Sequence, residues 1–426
     1  EAGRARARPV ALSSRTLAFI GPRLRVLHHL PFVIPFEVRV EIFRQFVRSD
    51  AERLHIARDA FLPTQRHRAT VRRAAIAEDG MAQLNALGPR LKEPVEIVFI
   101  DQFGQPEAGI DGGGVFKEFL TSLVRQVFDT DRGLWRANAR NELYPNPHSY
   151  ARQPEQLAWY TFLGRILGKA LYEGILVDVP FASFFLGKWL GHQSYLDDVA
   201  SLQSLDADLY RGLIQLKNYT GDVENDFALN FTVSDEEFGV THTTELVPGG
   251  AEIPVTNENR LSYIYHMSRY RLSTQIEPQC AAFLRGLTEL IEPRWLRVLS
   301  RDELRVLVSG TEAPVDVADL RAHTVYGGYH EKDLAVSYFW EALESLDPAS
   351  RRAFLRFVTS SPNPPLLGFG ELHPQFAIRH AGDDVSRLPT ASTCVNLLKL
   401  PAYTSREQCL EKLRYAIHSE AGFDLS

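Results

Sequence analysis

Residues 388–401 of the chain read LPTASTCVNLLKLP and place Cys394 between a short Thr/Ser segment and an apolar run. The segment TAST (390–393) is too polar for a core position and too short for a helix. The residues that follow, VNLLKLP, supply the apolar positions of a buried strand. The pattern predicts a thiol at the mouth of a strand, where a rigid base can expose a side chain.

Cys394 is the candidate nucleophile, because a thiolate is the reactive form of cysteine and neighbouring polar donors favour it. Cys280 and Cys409 each share a helical face with apolar residues, so we expect both to be small buried hydrophobes. Three cysteines in 426 residues cannot build a disulfide framework, and they suit a reducing compartment. No second cysteine or histidine lies at metal-ligand spacing from Cys394. A Cys–His hydrolase remains an open alternative, with His373 and His380 upstream.

The composition is that of a soluble globular protein, with 45% hydrophobic and 23% charged residues and no long uncharged apolar segment. Residues 1–75 contain 15 Arg, no Lys and six acidic residues, a net charge of +9. Such a basic arm suggests contact with nucleic acid or an acidic protein, but no nucleic-acid motif accompanies it, which favours a solvated helical face. The start EAGRARARPV has neither an initiator Met nor a signal peptide, so we expect a fragment of a longer chain.

Hydrophobic periodicity predicts helices and strands along the whole chain. The segment GIDGGGVFKEFL (109–120) has the position of a phosphate-binding loop, but Asp111 replaces the required glycine, which favours a turn that caps a helix. Near the end, Ser405 and Gln408 form the capping box of a last helix. The remaining expectations are helices over 36–54, much of 115–220, 257–291 with a kink or boundary at Pro278, and 338–360, and strands over 95–104, 225–233, 243–255 and around FAIRH and VNLLKL.

The segment VLVSGTEAPVD (306–316) is the best candidate for a hinge. A helix is expected to end before Gly310, which supplies a C-terminal stop, and Pro314 prevents the helix from continuing.

Several of these stretches resemble the HECT-type ubiquitin ligases. Besides LPTASTCVNLLKLP and Phe423, fourth from the end, the matching stretches are AGIDGGGVFKEFL, FLGRILGKALYEGILVDVPFASFFLGKWLG, IPVTNENRLSYI, LRVLVSG, TVYGGY and RAFLRFVTSSPNPPLLGFGEL. They occur in the expected order from about residue 87 to the end. The sequences of AGIDGGG, LPTASTC and the C-terminus most resemble the branch of the family associated with the proteasome.

The resemblance implies an α+β, bilobal fold with a mainly helical N-terminal lobe and a smaller α/β C-terminal lobe, joined by a flexible hinge. The implied boundaries are a basic helical extension over 1–86, the N-lobe over 87–309, the hinge over 310–314 and the C-lobe over 315–426. The extension helix at 36–54 has an apolar face that needs a partner, so we expect it to lie along the larger lobe.

The resemblance also implies the reaction. Cys394 would accept ubiquitin from a ubiquitin-conjugating enzyme as a thioester and pass it to a substrate lysine, building polyubiquitin chains without a cofactor or metal. The implied site residues are Cys394, Thr393 and Phe423 for catalysis, Leu209, Leu213, Tyr219, Leu229 and Tyr263 for the conjugating enzyme, and Gly310, Thr311 and Glu312 for the hinge. Many family members have His two residues before the cysteine, where this chain has Ser392.

The implied partners are ubiquitin, a conjugating enzyme, protein substrates and, from the branch, the proteasome; neither nucleic acid nor membrane is expected. The expected location is the cytoplasm, with the nucleus also open. Two rivals remain: a scaffold that docks a conjugating enzyme or ubiquitin without transfer, and a cysteine hydrolase acting on ubiquitin or a small thioester. Loading of Cys394 separates the scaffold from the ligase, and release of free ubiquitin would indicate the hydrolase.

Overall fold

The structure is a computed structural model that describes residues 30–56, 67–101, 103–107, 114–191, 201–310 and 313–418. These residues form two lobes with separate apolar cores. The core of the large lobe (residues 30–310) extends from Val40 to Val308, and that of the small lobe (313–418) extends from Val315 to Leu413. The separation of the cores gives the bilobal, α+β architecture that the sequence predicts.

The large lobe is mainly helical. Its helices are α1 (Phe36–Arg53), α2 (Ile76–Leu84), α3 (Gly114–Val127), α4 (Pro154–Glu173), α5 (Ser183–Trp189), α6 (Ala207–Asn218), α7 (Val223–Phe227), α8 (Arg260–Leu272), α9 (Glu277–Leu290), α10 (Pro293–Leu296) and α11 (Arg301–Ser309). In the described part of this lobe, the strands form three two-stranded sheets. These are parallel β1 (His67–Arg72) and β2 (Val95–Ile100), antiparallel β3 (Trp135–Ala137) and β4 (Leu143–Pro145), and the hairpin of β5 (Thr232–Glu237) and β6 (Val240–Glu245).

The small lobe packs helices against one four-stranded sheet. Its helices are α12 (Val317–Ala322), α13 (Leu334–Ser345), α14 (Pro348–Thr359) and α15 (Arg406–His418). The sheet has the order β7-β8-β10-β9, from β7 (Val325–Gly327), β8 (Ala377–His380), β9 (Thr390–Ser392) and β10 (Leu397–Leu400). Strand β10 runs parallel to β8 and antiparallel to β9, with Leu398 opposite Ala391. Strand β10 lies between two neighbours, and its alternate residues Leu398 and Leu400 are buried, whereas Leu397 and Lys399 are half-buried.

Helix α1 is an integral part of the large lobe, as its apolar face predicts. Val40, Phe43 and Val47 are buried in the large core. Arg39 is also buried, and its guanidinium donates to the carboxylate of Glu303 and to the carbonyl of Val298. A buried guanidinium is tolerated because its donors meet a carboxylate and a backbone oxygen.

Two helices form the centre of the large lobe because glycines let them approach closely. Helices α4 and α9 pack along their lengths. A Cβ atom at Gly164 would lie 2.0 Å from the carbonyl oxygen of Phe283, and one at Gly286 would lie 1.9 Å from that of Thr161. Any larger residue at either position would push the two helices apart.

Some expected boundaries are wrong. Residues 225–233 do not form one strand, because Asp222 caps the short helix α7, Ala228 is left-handed, and β5 begins only at Thr232. The expected boundary at Pro278 is confirmed, because within 257–291 helix α8 ends at Leu272 and Pro278 lies in the first turn of α9. The stretch 338–360, in contrast, is divided at Asp347–Pro348. Among the described residues, no helix has the length and apolar character needed to cross a membrane.

Candidate active site at the junction of the lobes

Cys394 lies in a single 3-10 turn, Thr393–Val395, that connects β9 to β10. Only its backbone is described; its side chain lies outside what the structure describes. The prediction of a thiol-bearing residue directly before a buried strand is confirmed, with the difference that β10 begins at Leu397. Residues 390–392 form edge strand β9, which explains why Thr390 and Ser392 need not be apolar, while Ala391 packs against the core of the small lobe.

Asn396 ends this turn and is fully buried. Its backbone is left-handed (φ 51°, ψ 43°), a conformation that asparagine tolerates better than other non-glycine residues. Its side-chain Nδ2 donates to the carbonyl of Pro374 (2.6 Å), and its own carbonyl accepts from the amide of Ala377 (3.0 Å). The turn is thereby anchored to the segment that enters β8.

The turn lies against the large lobe. It contacts α3 of the large lobe and α14 of its own lobe. Lys117 of α3 donates from Nζ to Oδ1 of Asn396 (2.7 Å), a hydrogen bond between residues 279 positions apart in the sequence. Beside this bond lies an interlobe cavity of about 250 Å³. Its lining includes Arg44, Tyr172 and Glu173 from the large lobe and Asn363, His373 and Asn396 from the small lobe.

The other two cysteines behave as predicted. Cys280 and Cys409 are buried, and burial raises the pKa of each thiol to about 12. Neither forms a reactive thiolate near neutral pH. Of the two upstream histidines, His380 contacts Asp383 (3.3 Å) and the ring of Tyr329. Among the described residues, no group of three His, Cys, Asp or Glu side chains could hold a metal ion.

The five residues predicted to bind a conjugating enzyme lie on neighbouring elements of the large lobe but differ in exposure. Leu209, Tyr219 and Leu229 are half-buried against the core, whereas Leu213 and Tyr263 are buried within it. The Tyr219 hydroxyl donates to Asp226 (2.7 Å), and this hydrogen bond raises the pKa of Tyr219. In this structure the half-buried Leu209, Tyr219 and Leu229 are accessible to a partner, whereas the buried Leu213 and Tyr263 pack in the core of the large lobe.

The predicted hinge begins where α11 ends. Gly310 follows α11 with φ 83°, which only glycine adopts readily, so the predicted helix stop is confirmed. Asn363 of the small lobe donates from Nδ2 to the carbonyl of Ser309 (2.7 Å) and is itself held by Arg352 (2.7 Å). Thr311 and Glu312 of the hinge, and Phe423 of the C-terminus, lie outside the described residues.

Three residues at the junction escaped the sequence analysis: Lys117, Asn363 and Asn396. A signal existed for Asn396, since a single asparagine inside the apolar run VNLLKL marks a backbone position with positive φ. Lys117 gave no signal, because a lysine on an amphipathic helix is ordinarily a solvated residue.

Comparison with known proteins places these features in one family. The family model described as "HECT-domain (ubiquitin-transferase)" matches residues 121–426, well over half of the chain. A relative from Schizosaccharomyces pombe, "Probable E3 ubiquitin protein ligase C167.07c", is 48% identical over 406 residues, covering 95% of this chain and 39% of the relative. Human "Ubiquitin-protein ligase E3B" is 42% identical over 431 residues (94% and 40%), and Saccharomyces cerevisiae "E3 ubiquitin-protein ligase HUL5" is 41% identical over 416 residues (95% and 45%). The chain therefore spans less than half the length of these relatives.

Proposed function

Because the chain belongs to the HECT-domain (ubiquitin-transferase) family, we propose that it is a ubiquitin ligase that carries ubiquitin as a thioester on Cys394. The observation that carries this proposal is the position of Cys394, in a turn anchored by a buried asparagine at the junction of the two lobes. Such a turn fixes the backbone of the nucleophile, and movement of the small lobe would bring it to two macromolecular partners in succession.

The proposed reaction has two steps that balance without a cofactor. The Cys394 thiolate attacks the carbonyl of the ubiquitin thioester, a new C–S bond forms, and the conjugating enzyme leaves as a thiolate that takes up a proton. A deprotonated lysine amine then attacks the Cys394 thioester, an isopeptide bond forms, and the Cys394 thiol is released. Exchange between two thiols is nearly balanced in energy, so positioning of the thiolate matters more than a neighbouring base. That balance is compatible with Ser392 in place of His.

We propose that the conjugating enzyme binds the large lobe at Leu209, Tyr219 and Leu229, with Leu213 and Tyr263 shaping the surface from beneath. A mixed aliphatic and aromatic patch suits a partner that must bind and then leave. The prediction is that Leu209→Ala slows loading in proportion to weaker binding, so that a higher concentration of charged conjugating enzyme restores the rate. A loss that persists at saturating concentration would contradict a binding role.

The hinge over 310–314 is proposed to let the small lobe carry Cys394 from the conjugating enzyme to the acceptor lysine. Phe423 is proposed to dock the C-terminal tail between the lobes. We further propose the proteasome as a partner, on the wording of AGIDGGG and LPTASTC, and the cytoplasm or nucleus as the location, because three cysteines suit a reducing compartment. Co-purification with proteasomes and cell fractionation test these two proposals.

A single-turnover loading assay tests the proposed function. The chain is mixed with a ubiquitin-charged conjugating enzyme, quenched without reductant, and examined for a ubiquitin adduct that thiol removes. We expect the adduct in the wild type, its loss in Cys394→Ala, and its retention in the matched Cys280→Ala/Cys409→Ala variant, which leaves Cys394 as the one cysteine. No adduct with any conjugating enzyme would favour the scaffold, and rapid release of free ubiquitin would favour the hydrolase.

A further inference from the structure

Asn396 connects the thiol-bearing turn (Thr393–Val395) by hydrogen bonds to both the small lobe and the large lobe. Within the small lobe, its Nδ2 donates to the carbonyl of Pro374, and its backbone carbonyl accepts from the amide of Ala377. The remaining side-chain acceptor, Oδ1, is used by Lys117 of the large lobe. A buried amide oxygen without a hydrogen-bond donor destabilises the conformation that buries it. The donor that Lys117 supplies therefore stabilises this position of the turn.

The bond between Lys117 and Asn396 requires the thiol-bearing turn to lie against α3, as it does in this structure. Lys117 lies on α3, at the body of the large lobe, whereas Asn396 moves with the small lobe. The surface proposed for the conjugating enzyme is built from α6, the segments that follow it, and α8, not from α3. An arrangement in which the turn is held against α3 therefore fits a step in which the conjugating enzyme takes no part.

We propose that Lys117 is a positioning residue for the second half-reaction, in which ubiquitin passes from Cys394 to an acceptor amine. By donating to Asn396, two residues after Cys394, Lys117 holds the loaded turn against α3 while the amine approaches. This proposal rests on the proposed function, since it divides that reaction into two steps. It assigns Lys117 no direct contact with the reacting atoms.

The two half-reactions are measured separately on the full chain. Loading is followed with a charged conjugating enzyme, and discharge is followed by adding free lysine to the loaded chain after the supply of charged conjugating enzyme is stopped. A hydrogen bond from a charged group is worth tenfold or more in an equilibrium or rate, so Lys117→Met is expected to slow discharge by at least about tenfold. Loading by this variant is expected to stay within about twofold of the wild type, which is little on the same scale.

Two further variants separate positioning from other roles of Lys117. Lys117→Arg keeps a charged donor but removes the amine as a possible site of self-modification, and it is expected to restore most of the discharge rate. Lys332→Met removes an exposed lysine elsewhere in the small lobe and is expected to behave as the wild type. If Lys117→Arg restores discharge and Lys332→Met does not change it, the effect of Lys117→Met is due to the lost hydrogen bond. If Lys117 were instead an acceptor of ubiquitin, arginine would not restore discharge.

A double-mutant cycle asks whether Lys117 acts through Asn396. Asn396→Gly keeps the left-handed backbone but removes the side chain. We expect the double variant to discharge no more slowly than Asn396→Gly alone, because the hydrogen bond that Lys117→Met removes is already absent from Asn396→Gly. Additive losses, normal discharge by Lys117→Met, or equal losses of loading and discharge would each overturn the proposal. Failure of the wild type to load at all would instead overturn the proposed function.

Discussion

Truncation of Phe43 tests whether helix α1 is part of the catalytic unit or a separate arm. Phe43 is completely buried, on the face of α1 that enters the core of the large lobe. Phe43→Ala removes the ring from a close-packed site, which costs about 3–5 kcal/mol. For a lobe of this size, each kcal/mol lowers the melting temperature by about 2–4 °C, so we expect a drop of roughly 10 °C. Deletion of residues 1–60 should act in the same direction.

Intrinsic fluorescence reports this unfolding directly. Trp295 stacks on Phe46 of α1, with ring centroids 6.3 Å apart. The matched control is Val38→Ala on the same helix, whose side chain is 45% exposed and whose truncation should change stability by no more than about 0.5 kcal/mol. If Phe43→Ala and Val38→Ala melt together with the wild type, α1 does not stabilise the lobe, and a docking role for the N-terminal segment gains support.

Three further predictions follow from single side chains. Gly310→Ala should slow ubiquitin transfer while the large lobe keeps its melting temperature. A Cβ atom at this position is strained at φ 83° and would lie 2.7 Å from Cβ of Asn363. Single-turnover discharge measures the effect on transfer, and fluorescence melts measure the effect on stability. Burial acts to raise the pKa of Asp50, but hydrogen bonds from a neighbouring lysine and arginine outweigh it and lower that pKa. The ionised Asp50 carboxylate therefore stabilises the fold above about pH 4, and this stabilisation is lost as pH falls through the lowered pKa. In urea titrations, the difference in unfolding free energy between wild type and Asp50→Asn should shrink below about pH 4. Cys280 and Cys409, with pKa raised to about 12 by burial, should resist iodoacetamide at pH 8 in the native protein and react only after denaturation, as peptide mass spectrometry would show.

Local signals predicted the elements whose apolar pattern or cap is complete within one short segment of the sequence. Strand β2, helix α1 and the cap of the last helix at Ser405, which accepts from the amide of Gln408 (3.2 Å), all follow from spacing and side-chain type. The expected strand over 225–233 was wrong because a local cap outweighed β propensity: Asp222 accepts from the amide of Asn225 and starts a helical turn.

The part of the site that the sequence did not reveal depends on contacts between distant segments. The pattern around Cys394 predicted a nucleophile ahead of a buried strand, and the resemblance implied its role, but strand β9 at Thr390–Ser392 was not predicted. The pairing of Lys117 with Asn396 joins residues 279 positions apart, and no periodicity or spacing within either segment encodes it. The burial of Leu213 and Tyr263 was similarly hidden, because helical spacing shows that residues share a face but does not show what covers that face.

The structure combines a firmly held turn with a junction made partly of weak contacts. Inside the small lobe, the turn is fixed by Asn396 and by β10, whose Leu398 and Leu400 are completely buried. Across the junction, by contrast, Arg356 pairs with Asp178 through side chains that are 58% and 42% exposed, and such pairs contribute only about 0–1 kcal/mol. Breaking such a contact costs far less than disturbing either core, so the proposed rotation about the hinge does not require the turn to unfold. A transferase with two successive partners needs this distribution of stability, because the nucleophile must keep its local geometry while its surroundings change.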